Sequence, residues 1–139
     1  MYSGDICYIL DANVIRKISY EQLIELNGKR IKIITIDDVY YEVQSLEKVK
    51  LLKIESLSAN AFDVMTKLIN EFQSVRNIVS YYENKGAADV ALLAYCKCSP
   101  ENRLFEDEKV IITEDKGLRK ACDELHINWM TFIDFLQIC

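Results

Sequence analysis

The sequence predicts an α/β domain whose central, mostly parallel sheet of about five strands is covered by helices on both faces. Short apolar runs of strand length alternate with stretches of helical periodicity, in one block without a linker, repeat or low-complexity tract. Strands of a sheet covered on both faces are almost continuously apolar, and the strongest runs here have that composition. With 139 residues, half of them hydrophobic, the chain fits a single domain spanning residues 1–139.

The first half of the chain contains three of the predicted strands, which are residues 6–10, 31–36 and a weaker run at 51–54. Ser19 and Gln22 form a capping-box pattern that opens a helix, and Gly28 can end it. Asp37 and Asp38 follow the second strand and open another helix. The apolar residues spaced along that helix, which predict its buried face, are Val39, Val43 and Leu46.

The second half begins with a helix that Ser58 can cap. Its apolar residues are expected on one face and are Phe62, Met65, Leu68, Ile69 and Phe72. Residues 76–86 fit no single pattern, and Gly86 precedes a helix over residues 87–97. Residues 98–108 turn polar, include the only proline, and predict a surface loop.

The last part of the chain predicts two strands, residues 110–112 and 127–130, separated by one helix. Apolar residues at i, i+3, i+4 and i+7 mark the buried face of that helix, and these are Leu118, Ala121, Cys122 and Leu125. Thr131 and Asp134 have the spacing of a cap for a final helix over residues 132–138.

Composition excludes several classes of protein. No apolar run approaches the roughly 18 residues of a membrane span, and the N-terminus lacks a signal pattern, so we expect a soluble, cytoplasmic protein without a membrane partner. Five cysteines without a Cys-x-x-Cys pair, and a single histidine, predict reduced thiols rather than a structural zinc site. With 22 acids against 17 bases, a nucleic acid would meet net repulsion unless the basic residues are grouped.

Four acidic side chains lie next to apolar runs that should be buried. Asp11 and Asp115 each follow a predicted strand, so they should lie at the same edge of the sheet, where open α/β sheets bind ligands. Glu42 and Asp89 lie beside apolar helix faces and near helix starts, where they can point at that edge. Taken singly, each has a simpler interpretation, namely a helix cap or turn for Asp11 and a salt-bridged boundary residue for Glu42 or Asp89.

Clustering of these four acids would require a cation. Two carboxylates 4 Å apart repel by about 4 kcal/mol at an effective dielectric near 20, so a cluster would not persist unneutralised. An all-oxygen set favours Mg²⁺ or Mn²⁺, which can activate water and stabilise charge on a phosphate. No Ser/His/Asp or Cys/His catalytic set competes with this interpretation, because the chain has a single histidine, His126. It follows a predicted helix, and a favourable contact with the dipole of that helix accounts for its position. The chemistry expected is phosphodiester hydrolysis.

Four segments that contain these acids resemble, in order and along the whole chain, the motifs of the PIN domains, a family of metal-dependent nucleases. They are residues 10–15 (LDANVI), 39–43 (VYYEV), 88–94 (ADVALLA) and 111–115 (IITED). The resemblance implies a three-layer α/β/α sandwich with strand order 3-2-1-4-5. It also implies an Mg²⁺- or Mn²⁺-dependent endoribonuclease for single-stranded RNA, with Asp11, Glu42, Asp89 and Asp115 as catalytic metal ligands.

Two details of the resemblance bear on activity and biological role. The family often has Ser or Thr where Ala12 stands, which puts catalytic strength rather than metal binding in question. The common roles in the family are a toxin held by a small antitoxin protein and a ribosomal-RNA processing nuclease. The processing type usually has a zinc-ribbon extension that this chain lacks, which favours the stand-alone, toxin-like branch.

Basic and aromatic residues near the acids are candidate substrate contacts. Lys116, Arg119 and Lys120 follow Asp115 at a helix start. Asn13, Arg16 and Lys17 follow Asp11. Asn13 could orient Asp11 or a metal-bound water, and Arg16 and Lys17 could bind phosphate. The simpler interpretation of the basic residues is a solvated helix face. The tyrosine pairs at residues 40–41 and 81–82 could stack on bases or pack in the core, and residues 132–138 could form a core helix or a homodimer contact.

Two other functions compete with the nuclease. A non-catalytic PIN-like module that binds RNA or protein is suggested by Ala12 and the acidic composition. A receiver-type phosphoacceptor is suggested by Asp37 and Asp38 after a strand, but it would need a lysine directly after the last strand, where Met130, Thr131 and Phe132 stand.

Overall fold

A computed structural model describes residues 6–29, 31–57, 60–82, 86–97 and 108–138. Five strands form one sheet in the order β3-β2-β1-β4-β5, and every neighbouring pair is parallel. The strands are β1 Ile6–Leu10, β2 Lys32–Ile36, β3 Lys53–Glu55, β4 Glu108–Ile112 and β5 Asn128–Met130. The expected α/β class and strand order are therefore confirmed.

Eight α-helices and one 3-10 helix complete the described part of the chain. The α-helices are α1 Ala12–Lys17, α2 Tyr20–Gly28, α3 Asp37–Val43, α4 Ala61–Glu71, α5 Gln73–Tyr82, α6 Gly86–Lys97, α7 Lys116–Leu125 and α8 Phe132–Leu136, and the 3-10 helix is Glu47–Leu51. None of these helices has the length and apolarity needed to cross a bilayer. The capping box of Ser19 and Gln22 at α2 and the Thr131 cap of α8 are both present as expected.

The centre of the sheet is fully buried. Ile9 and Leu10 of β1, with Ile111 and Ile112 of β4, have no exposed surface, as their apolar sequence predicts for central parallel strands. One polar group lies among them, the buried hydroxyl of Thr35, which donates a hydrogen bond of 2.9 Å to the carbonyl of Leu10. The buried hydroxyl is therefore satisfied and adds a side-chain link between β1 and β2.

The structure differs from the sequence prediction mainly at the edges. The weak third strand occupies residues 53–55 instead of 51–54, because the 3-10 helix takes up residues 47–51. Phe62 is 65 % exposed, since the buried stripe of α4 begins one residue earlier at Ala61 and continues to Leu68. Helix α5 occupies most of the stretch that fitted no pattern. The Ser58 cap and nearly all of the loop predicted for residues 98–108 lie outside the described residues.

The strand order also bears on one competing function. Receiver-like sheets have the order 2-1-3-4-5. In this chain the second strand lies between the first and the third, so the sheet is wound differently. The topology therefore disfavours a receiver-type domain.

Helix α8 generates a stability prediction. Phe135 is fully buried and packs against Tyr8, with 5.3 Å between ring centroids, whereas Ile133 on the same helix is 64 % exposed. Phe135→Ala should lower the free energy of unfolding by about 3–5 kcal/mol because it leaves a cavity, and Ile133→Ala should change it by less than about 0.5 kcal/mol. Urea denaturation measures both, and equal losses would contradict the packing of this helix.

Candidate functional site

A cleft of about 510 Å³ is lined by all four acids that the sequence singled out, Asp11, Glu42, Asp89 and Asp115. Asp11 directly follows β1, and Asp115 lies three residues after Ile112, the last residue of β4. β1 and β4 are neighbours in the sheet. The direction in which successive strands are added reverses between them, because β2 and β3 lie on one side of β1 and β4 and β5 lie on the other. Open α/β sheets bind ligands in the crevice at this switch point, so the position itself indicates a functional site.

Asp11 is both a helix cap and a cleft residue. It is only 3 % exposed, and its Oδ1 accepts a hydrogen bond of 2.8 Å from the backbone N–H of Val14, which caps α1. The helix-cap interpretation is therefore correct, and it does not remove the carboxylate from the cleft. Capping instead fixes the side chain at the end of the central strand.

Asp115 repeats this arrangement at α7. Its Oδ1 accepts a hydrogen bond of 3.0 Å from the backbone N–H of Leu118. Gly117 leaves space for the carboxylate, because a Cβ at that position would lie 3.2 Å from Oδ1. Both acids at the strand ends are thus held by the first turn of the following helix, close to the positive end of its dipole.

Thr113 connects the two capping acids, and the sequence analysis assigned it no role. Its buried hydroxyl donates a short hydrogen bond to Oδ2 of Asp11 and accepts one of 3.0 Å from the backbone N–H of Asp115. A hydroxyl residue two positions before an acid at a strand end was the available signal. It was missed because threonine after a strand is common and its side chain has no assignable direction in sequence.

Glu42 and Asp89 reach the cleft from helices, and no cation of the described residues pairs with either carboxylate. Glu42 is exposed on α3, and Asp89 is partly buried near the start of α6. Within the described residues neither carboxylate forms an ion pair or a hydrogen bond. The salt-bridged alternative for these two acids therefore has no support in the structure.

The other three carboxylates of the cleft repel the charge of Asp89. Burial, followed by repulsion from Asp115, Asp11 and Glu42, raises the pKa of Asp89 to about 7. Burial also raises the pKa of Asp11, although hydrogen bonds from Thr113 and Val14 oppose that shift. The cleft therefore concentrates negative charge that the described protein groups do not neutralise, and a bound cation would relieve this repulsion.

The donor chemistry fits Mg²⁺ or Mn²⁺, although the cage is not ready-made. In the described ranges, no three Asp, Glu, His or Cys side chains converge closely enough to hold a metal as they stand. Mg²⁺ usually keeps several waters and is bound through one or two carboxylates, so it does not need a complete protein cage. The lining contains four carboxylates and, among the described residues, no histidine or thiol, which suits such a cation better than zinc.

The expected substrate contacts are distributed unevenly. Asn13 and Arg16 line the cleft together with Ala12, and Oδ1 of Asn13 accepts a hydrogen bond from Arg16 instead of contacting Asp11. Lys116 and Lys120 are not in the lining.

Arg119 does not line the cleft either, because its guanidinium is engaged elsewhere. It binds the backbone carbonyl and the carboxylate of Glu114, and it stacks on Trp129 at 5.3 Å from the ring centroid. The expected contact of Arg119 with substrate therefore stays a prediction.

The remaining candidate residues do not line the cleft, or their side chains lie outside the described part of the chain. Tyr41 is exposed and packs edge-on against the partly buried Tyr40, with 6.0 Å between ring centroids. The side chains of the second tyrosine pair, residues 81–82, lie outside the described part. The two acids that suggested a receiver domain, Asp37 and Asp38, do not line the cleft.

No family model matches this chain, and no curated protein is similar enough to count as a relative.

The pKa of Asp89 predicts an unusual pH dependence of stability. Folding raises this pKa from 3.8 to about 7, so the folded protein binds the proton more tightly than the unfolded chain does. The associated stability is complete below the unfolded value and is lost as pH rises through about 7. Asp89→Asn should remove this loss, which amounts to a few kcal/mol at about 1.4 kcal/mol per pKa unit.

The measurement is urea denaturation in a chelator from about pH 4 to about pH 8. Asp89→Asn should resemble the wild type at the acidic end and exceed it at the basic end. Asp63→Asn, at an exposed acid of α4, should follow the wild-type curve. Parallel curves for Asp89→Asn and the wild type would contradict the clustering of charge.

Thr113 generates a second prediction. Thr113→Val removes both hydrogen bonds and should cost about 1–3 kcal/mol, whereas Thr113→Ser keeps them and should cost about 0.8 kcal/mol for the lost methyl group. The hydroxyl favours the charged form of Asp11, so the difference between the variants should grow as pH rises. A difference that does not change with pH, measured by the same denaturation, would reduce Thr113 to a packing role.

Proposed function

We propose that this protein is an Mg²⁺- or Mn²⁺-dependent endoribonuclease that hydrolyses phosphodiester bonds of single-stranded RNA, with Asp11, Glu42, Asp89 and Asp115 holding the cation. The observation that supports this most is the cleft at the switch point of the sheet, which all four acids line. Burial, followed by repulsion from the other three acids, raises the pKa of Asp89 to about 7. Clustered acids without neutralising partners are unfavourable for stability, and such arrangements are concentrated at functional sites.

The cation, when bound, supplies an activated water and stabilises charge on the phosphate. The protein groups prepare the cleft for it. Thr113 and the first turn of α1 fix both oxygens of Asp11, and the first turn of α7 fixes one oxygen of Asp115. Without a cation the four acids repel a phosphate, so RNA binding as well as cleavage should require the metal.

The choice of RNA as substrate rests on the resemblance of the four acidic segments to those of PIN domains. The observed strand order, 3-2-1-4-5, is the one that this resemblance implies. The same resemblance motivates the toxin-like role, in which a small antitoxin protein would control the nuclease. A gene for a short, basic, helix-prone protein beside this one would support that role.

A second candidate function is a PIN-like module that binds RNA or protein without cleaving. It is favoured by Ala12, whose side chain lines the cleft where the family often supplies a hydroxyl. A methyl group cannot donate a hydrogen bond, so one means of ordering water or substrate is absent at this position. Tight, metal-dependent RNA binding without turnover in either Mg²⁺ or Mn²⁺ would distinguish this module from the nuclease.

The nuclease predicts that Asp11→Asn and Asp115→Asn each abolish metal-dependent cleavage of single-stranded RNA. Asparagine still caps helices and is close in size, so the fold should persist while a ligand charge is lost. Gel analysis of an end-labelled RNA measures cleavage, and circular dichroism checks the fold.

Asp63→Asn is the matched control for these variants. It makes the same chemical change at an exposed acid that does not line the cleft, so it should keep wild-type activity. Undiminished cleavage by Asp11→Asn or Asp115→Asn would exclude the proposed mechanism, and equal loss in the control would point to an indirect effect.

A further inference from the structure

Arg16 is a cation that lines the acidic cleft without neutralising it. Its side chain is exposed, and it borders the same cavity as the four acids. Within the described residues it forms no ion pair, and its Nη1 donates a hydrogen bond of 3.2 Å to the neutral amide oxygen of Asn13. A guanidinium has five N–H donors, so this single bond leaves most of them available.

Two contacts restrain Arg16, one at its guanidinium and one at its backbone. Asn13 holds the guanidinium across one turn of α1. Nζ of Lys48 donates hydrogen bonds of 2.9 Å and 2.6 Å to the backbone carbonyls of Arg16 and Ile18, which anchors the end of that helix. A side chain restrained in this way loses less conformational entropy when it binds a ligand than a freely rotating surface arginine does.

Arg16 differs in this respect from the other basic residues near the strand ends. Arg119 is engaged by Glu114 and Trp129. Lys17, the next residue on α1, is exposed but does not line the cleft. Arginine binds phosphate through paired N–H donors, and such contacts place a nucleic acid strand without reading its sequence.

We infer that Arg16 anchors a backbone phosphate of the bound RNA strand at the border of the acidic cleft, with Asn13 and Lys48 positioning it. This inference rests on the proposed function, because it takes the ligand to be a single-stranded nucleic acid. It adds a strand-binding group to a cleft whose other charged residues are all acids. Arg16 thereby contributes to strand binding without holding the cation.

Salt dependence of binding tests the assignment. Affinity for a labelled single-stranded RNA decamer is measured by fluorescence anisotropy in Ca²⁺, from about 50 to about 200 mM salt, and a gel checks that the strand stays intact. Each phosphate contact on a single strand contributes about 0.7 to the slope of log K against log salt. Arg16→Gln should reduce the slope by about 0.7 and weaken binding about tenfold.

Two matched variants separate this contact from general charge. Lys17→Gln removes the same charge one residue away and should leave the slope unchanged and the affinity within about twofold. Arg16→Lys keeps the charge and should restore most of the slope while recovering only part of the affinity, because lysine lacks the paired donors. Circular dichroism confirms that all variants are folded.

The outcomes distinguish this inference from the proposed function. Binding with the expected Arg16 effect, but no cleavage in Mg²⁺ or Mn²⁺, would support the anchor and remove the nuclease. Cleavage by the wild type with an unchanged slope in Arg16→Gln would remove the anchor and keep the nuclease. Equal effects of Arg16→Gln and Lys17→Gln would also remove the anchor, and a wild type that neither binds nor cleaves RNA would remove both.

Discussion

The burial of one carboxylate at the end of the central strand is the constraint on which the site depends. Asp11 is almost inaccessible to solvent, and a buried charge is costly unless hydrogen bonds satisfy it. Its two oxygens receive donors from different parts of the chain, the first turn of α1 and the hydroxyl of Thr113 after β4. Satisfying this single group therefore ties β1, α1 and β4 together, and through the backbone of Asp115 it includes the start of α7.

The other acids are held near Asp11 by topology rather than by ion pairs. Parallel strands direct their carboxyl ends to the same edge, and the helices that follow or cross that edge deliver Glu42 and Asp89. The backbone thus keeps the four carboxylates near one another although their charges repel. Proteins accept such local costs mainly at functional sites, and open α/β sheets bind their ligands at this switch point.

What the sequence could predict depended on how strongly burial constrains a segment. The central strands around Ile9 and Ile111 were located because nearly every residue there is apolar, whereas the edge strand β3 is short and partly exposed and its limits were misjudged. Phe62 was assigned to the wrong face because periodicity identifies a stripe but not the element that covers it. The hydrogen bonds of Thr113 and the engagement of Arg119 by Glu114 and Trp129 could not be predicted for a related reason: they depend on which way a side chain turns, and spacing along the chain does not contain that information.

The double role of Asp11 and Asp115 has a consequence for how the two helices respond to a ligand. The carboxylates of these two cleft residues also accept hydrogen bonds from the backbone N–H groups of Val14 and Leu118. A cation held by these carboxylates, as proposed, would share them with the two capping bonds. Occupancy of the cleft would thereby be coupled to the order of two segments far apart in sequence, and deuterium uptake at those two amides would report it from outside the site.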